Sequence, residues 1–168
     1  EADVALRIAH VLKVIMDTHS EYEASPTRDG DKTVSLKERT DSANQLDAYL
    51  VSIHCNADED PQAHGAEVWC YAEMDKNGKE SIGHQIARAI QAELVSLGLR
   101  DRGVKAIFDR KEGRYIGRKL WVLDKTRRPS VLVECAFVSN PEEAQRLGNE
   151  HGDFKERLAV AIFKGIDK

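Results

Sequence analysis

The sequence has no apolar run long enough to cross a bilayer, and no block of like charge. Its 25 basic and 29 acidic residues are interspersed and leave a formal net charge of -4. There is therefore no basic stripe for nucleic acid and no polybasic helix for a membrane surface. No CxxC pair occurs. The three cysteines, Cys55, Cys70 and Cys135, are odd in number and widely spaced, which argues for small buried side chains rather than a zinc or redox motif. The opening EADVALRIAHVL has no basic n-region, apolar h-region or small-residue cleavage site, so it shows no export signal. Internal repeats, low-complexity segments and linkers are also missing. What remains is 168 residues, 41% hydrophobic and 32% charged, a size and balance that suit one domain with one core.

What is present is an alternation of helix and strand signals. Val4, Ile8, Val11, Leu12 and Ile15 recur at helical spacing and predict an amphipathic helix over 2–17. A short strand is expected around Glu21–Ser25, followed by a loop through TRDGDKT. Ser35 and Glu38 form a capping box for a helix running to about Gln45. The stretch 48–54, AYLVSIH, reads as a strand covered on both faces, and 66–71, AEVWCY, as the next. Ile82, Ile86, Ile90 and Leu97 mark a helix over 80–97, closed by Gly98. The basic, glycine-punctuated segment RGVKAIFDRKEGRYIGRK is expected to be a surface loop, with a short strand at Leu120–Leu123. A last hydrophobic strand is predicted over 130–137, then a helix started by Asn140, Pro141 and a capping-box Glu143. Phe154, Leu158, Ala161, Ile162 and Ile166 give a terminal helix its apolar face. The alternation predicts a three-layer α/β sandwich around a mostly parallel mixed sheet flanked by helices.

Two polar residues interrupt the strands. His54 ends the run VSI, and Glu134 lies late in SVLVECAF. In open α/β sheets the carboxyl ends of strands line the ligand crevice, so both point to a candidate site. A carboxylate among Val, Leu, Cys and Phe needs a cation, a metal or a raised pKa to offset its desolvation. Arg127 and Arg128 are the nearest cations in sequence, so a plain internal salt bridge is one alternative for Glu134. A core histidine satisfied by backbone is the alternative for His54.

EADVALRIA, TRDGDKTVSLKERTDSAN, VSIHCNA, HGAEVWCY, RGVK and PSVLVECAFVSNPEE follow one another in an order that resembles the zinc-dependent N-acetylmuramoyl-L-alanine amidases. An L-x-x-R-x-x-x-A-N element at Leu36, Arg39, Ala43 and Asn44 adds to the likeness. The resemblance implies a mixed sheet flanked by helices and hydrolysis of the amide between the muramic acid lactyl group and the L-alanine of the peptidoglycan stem peptide. It implies zinc, with Glu1 and His54 as ligands and Glu134 as general base toward a zinc-activated water. Glu67, in the G-x-E of HGAEVWC, would orient His54 from the second layer. Asn56, Arg114 and Arg118 are candidate substrate contacts, Arg114 and Arg118 in a loop that also offers Tyr115 and Trp121 for sugar stacking.

The family pattern places a further histidine ligand on a strand upstream of Glu1. The single domain, 1–168, is accordingly expected to be truncated at its N-terminus, with an unpaired sheet edge. The expected partner is peptidoglycan, not nucleic acid or a membrane interior. The site of action would be the bacterial wall, reached by secretion or, for a phage endolysin, from the cytoplasm. Other readings are a non-catalytic peptidoglycan-binding or regulatory module, a carboxypeptidase-like zinc peptidase, and a two-carboxylate glycosidase that would leave His54 idle.

Overall fold

The apolar stripe around Ile8 and Leu12 winds into α1 (Ala2–Asp17) in a computed structural model that describes residues 1–168. Ser35 and Glu38 close a reciprocal capping box that starts α2 (Leu36–Gln45). Strand β1 (Leu50–Asn56) and β2 (Ala66–Cys70) follow, then α3 (Ile82–Ser96), whose N-cap Ser81 accepts the His84 N–H. The chain continues through β3 (Asp101–Ala106), the two-residue strands β4 (Phe108–Asp109) and β5 (Arg114–Tyr115), and α4 (Trp121–Lys125). It ends with β6 (Ser130–Phe137), α5 (Pro141–Gly148) and α6 (Phe154–Ile166). No helix is long and apolar enough to cross a membrane.

The main sheet has the order β1-β6-β2-β3, with β1 and β3 at its edges. The β1–β6 and β2–β3 pairings are parallel and β6–β2 is antiparallel, so the sheet is mixed and mostly parallel, as expected. Strand β6 reads as continuous apolar sequence because both of its faces are covered. Val131, Val133 and Cys135 join Ile8, Ile90 and Ile162 in the core beneath α1, α3 and α6. Leu132 joins Leu50, Val122 and Leu123 on the opposite face, which α2 and α4 cover. The result is a three-layer α/β sandwich.

Three local expectations are corrected. Glu21–Ser25 forms no strand. Its aromatic, Tyr22, packs edge-on against Phe163 and donates its hydroxyl to Asp167 at 2.8 Å, which ties the segment to α6 instead of to a sheet. Leu120–Leu123 contributes to α4, where Val122 and Leu123 are buried; a short apolar run fits a helical turn as well as a strand. The supposed surface loop beginning at Arg102 supplies most of β3 and the β4–β5 hairpin.

The helix α6 lies against α3 with no room to spare. A Cβ on Gly165 would sit 2.5 Å from the backbone N and Cα of Ile90, atoms that cannot yield without moving α3. Gly148, at the end of α5, faces open space. Gly165→Ala should therefore destabilise the fold by about 1–3 kcal/mol, lowering the melting temperature by several degrees. Gly148→Ala should leave it nearly unchanged. Equal melting temperatures for the two variants would contradict this packing.

Candidate active site

The register of β6 against its two neighbours sets up the site. His54 of β1 is directly opposite Glu134 of β6, and Glu134 is directly opposite Glu67 of β2. Directly opposed residues share a face, so three polar side chains form one row across adjacent strands roughly 4.8 Å apart. Alternation along the strands puts this row on the face of Leu50, Leu132 and Trp69, the side covered lower down by α2 and α4. The His54 side chain stays 36% exposed, so the row opens to solvent.

His54 uses both ring nitrogens. Nδ1 lies 2.9 Å from Glu1 Oε1, and Nε2 lies 3.0 Å from Ser52 Oγ, two residues back on the same face of β1. Glu1 stands at the N-cap of α1 without capping it through its side chain, which leaves the carboxylate free to meet the imidazole. Glu134 has no such partner: its Oε2 is buried and makes no hydrogen bond. Burial pushes its carboxyl up to about 7, and the charges of Glu1 and Glu67 push the same way against Arg118 and Lys105. The salt-bridge alternative is excluded by geometry. Arg127 donates to the Asn44 carbonyl and Arg128 pairs with Asp47 at 2.5 Å, both away from Glu134. With neither arginine beside it, the burial of this carboxyl shows as a raised pKa.

Glu67 does not orient His54, because Glu134 on the intervening strand stands between them. It is buried, and its two oxygens accept from Trp69 Nε1 at 3.0 Å, Arg102 Nε at 2.9 Å and Lys105 Nζ at 2.6 Å. Burial alone would raise its carboxyl; these donors outweigh that and hold it below the usual range. The atom that orients His54 is Ser52 Oγ, a contact the i, i+2 strand spacing allowed and sequence reasoning passed over. Arg118 is close enough for its charge to favour the ionised form of Glu134. Arg114 pairs with Glu112 at 2.6 Å on the exposed hairpin, and Asn56 spends its Oδ1 on the Ala57 N–H. Glu143 is likewise not a capping-box residue: its buried carboxylate accepts from Gly65 N and Phe137 N, joining the start of β2 to the end of β6.

All three cysteines are free and buried, and burial drives the Cys55 and Cys70 thiols up to about 12 and Cys135 well above its ordinary value. None is a thiolate nucleophile at neutral pH. For a metal, the chain assembles a pair of donors and no cluster of three or more His, Cys, Asp or Glu side chains. Glu1 Oε1 and His54 Nδ1 are 2.9 Å apart, close to the roughly 3.3 Å separating two donors on one tetrahedral zinc. Oxygen and imidazole donors, with an unpartnered carboxyl oxygen across the next strand, suit part of a zinc site.

Comparison with known proteins gives a consistent picture. A family model described as N-acetylmuramoyl-L-alanine amidase matches residues 1–168. The uncharacterized protein YqiI of Bacillus subtilis strain 168 is 35% identical over 99% of this chain and 73% of its own length. The N-acetylmuramoyl-L-alanine amidase LytC of the same organism is 33% identical over 83% of this chain, which spans only 25% of LytC. The crystal structure of an N-acetylmuramoyl-L-alanine amidase from Clostridium difficile 630 superimposes with a TM-score of 0.82 at 31% identity, covering 99% of this chain and 81% of that one.

The raised carboxyl has a consequence for stability. A proton held more tightly in the folded state than in the unfolded one stabilises the fold fully below the ordinary value of 4.5, and this contribution is lost as pH rises through about 7. Metal-free protein should lose about 2 kcal/mol from this group between pH 5 and 8.5, after allowance for partial solvent screening. Glu134→Gln should flatten that part of the profile in chelator-treated urea titrations. A variant whose stability falls with pH as steeply as the wild type would show that Glu134 is not the group responsible.

Proposed function

This chain belongs to the N-acetylmuramoyl-L-alanine amidase family, and on that premise we propose that it hydrolyses the amide between N-acetylmuramic acid and the L-alanine of the peptidoglycan stem peptide. The observation that carries the reading is Glu134: a half-buried carboxyl with an unpartnered oxygen, poised near neutrality, directly across from His54. A base with a value near the working pH both accepts and returns a proton efficiently.

Glu1 and His54 are the residues that would hold zinc, as two of its protein ligands, and their contact through Nδ1 favours this assignment. Bound there, zinc supplies a Lewis acid for the scissile carbonyl and lowers the pKa of water toward ~7. The remaining steps belong to the chain. Glu134 takes a proton from the water that attacks the lactyl carbonyl carbon, and delivers it to the alanine nitrogen as the C–N bond breaks. Its low-dielectric surroundings keep it from remaining a solvated, weakly basic carboxylate. Ser52 holds the His54 ring in place, so the imidazole does not have to find its orientation on binding. Arg118, near Glu134, and Arg114, on the hairpin, are proposed to contact substrate. The family match lends nothing to the carboxypeptidase-like, glycosidase or binding-module readings.

The test combines metal content with turnover. With zinc supplied in excess, the protein should bind it, His54→Ala should lose that binding, and Glu134→Gln should keep it while muropeptide cleavage falls about 10²–10⁴-fold. Wild-type turnover in Glu134→Gln, or full zinc in His54→Ala, would overturn the assignment. Replacing Arg114 and Arg118 with alanine should raise KM more than it lowers kcat; an unchanged KM removes them from the substrate contacts.

A further inference from the structure

Arg102 and Lys105 are three residues apart on β3, a spacing that in a regular strand sends side chains to opposite faces. Here both reach the same oxygen, Glu67 Oε2. The cause is an irregularity in the ladder: Ala66 pairs with Asp101, yet Val68 pairs with Val104, so β3 holds one extra residue against β2. Gly103 occupies the bulge at φ +83°, a conformation few other residues adopt, and Asp101 Oδ1 accepts the Gly103 N–H at 2.8 Å. The bulge turns Arg102 onto the face of Glu134.

Neutralising Glu67 needs one cation, and the bulge supplies two. The Glu67 side chain is only 5% exposed, whereas Arg102 and Lys105 remain 27% and 34% exposed. Arg102 gives the protein only its Nε, and Lys105 only the one bond to Glu67, so the Arg102 Nη groups and the remaining Lys105 N–H donors have no protein acceptor. Both side chains are braced from below, Arg102 on the Phe137 ring at 4.7 Å and Lys105 on the Trp69 ring at 5.0 Å. A fixed, surplus-positive pair with free donors is suited to a planar anion.

We propose that Arg102 and Lys105, brought to one face by the bulge at Gly103 and held on buried Glu67, form a subsite for a free carboxylate on the peptide portion of the substrate, beside Glu134. This rests on the reading of the chain as a peptidoglycan amidase. The subsite makes the protein selective for stem peptides whose side-chain or α-carboxyl groups are not amidated.

The probes are N-acetylmuramoyl-L-alanyl-D-glutamic acid and its diamide, titrated calorimetrically into the Glu134→Gln protein. The diacid should bind about tenfold or more tighter than the diamide. Arg102→Gln and Lys105→Gln, added singly, should each shrink that ratio without weakening diamide binding, and Arg102→Lys should retain most of it. Unaltered melting temperatures separate these effects from misfolding. Equal binding of the two probes, or variants that weaken both alike, would overturn the subsite and leave the pair with only Glu67 to serve. Hydrolysis by the wild type is followed separately: a diacid preference in a protein that cuts neither probe upholds the subsite and rejects the amidase reading.

Discussion

A carboxyl group on an internal strand governs this site. Glu134 lies where ionisation is costly, and the neighbouring strands determine what compensates it. No arginine reaches in to neutralise it, as Arg127 and Arg128 are drawn off to Asn44 and Asp47. Burial, with Glu1 and Glu67 adding to it and Arg118 and Lys105 restraining it, brings the group up to about 7, so that both its protonated and ionised forms are populated at neutral pH. The parallel pairing on one side and the antiparallel pairing on the other set His54 and Glu67 at equal heights beside it. A register slip of one residue in either ladder would turn a neighbour to the opposite face and dismantle the row.

The two flanking strands do different work. On the β1 side, Glu1, His54 and Ser52 form a hydrogen-bonded chain whose donors are of the kind a divalent cation takes. On the β2–β3 side, Glu67 accepts from Trp69, Arg102 and Lys105, donors that favour its ionised form. Glu134 thus sits between a side suited to metal and a side suited to anions. In the proposed reaction the scissile carbonyl would face the first side and the carboxylates of the peptide the second.

Much of this was legible in the sequence because the signals are local and strong. The strand 130–137 agrees with β6 at both ends, the Ser35–Glu38 capping box forms, and Gly98 takes the positive φ its position after α3 called for. The family resemblance rested on the same segments that build the sheet. What escaped notice depends on partners distant in sequence. RGVKA looks like a loop because its charges and glycine hide a strand whose two cationic side chains are drawn to Glu67, 35 and 38 residues away. Glu143 sits where a capping-box residue would, but its acceptors are used by Gly65 and Phe137 in the packed interior. Glu67 was expected beside His54, and sequence order does not reveal that β6 inserts between β1 and β2 and separates the two.

The row His54–Glu134–Glu67 is proposed to serve cleavage of one particular bond. The direct measurement is mass spectrometry of the products released from purified peptidoglycan by the zinc-loaded protein. Intact stem peptides with a new L-alanine amino terminus, alongside glycan strands bearing free lactyl carboxylates, are the expected result. Products cut within the peptide or within the glycan would contradict the account.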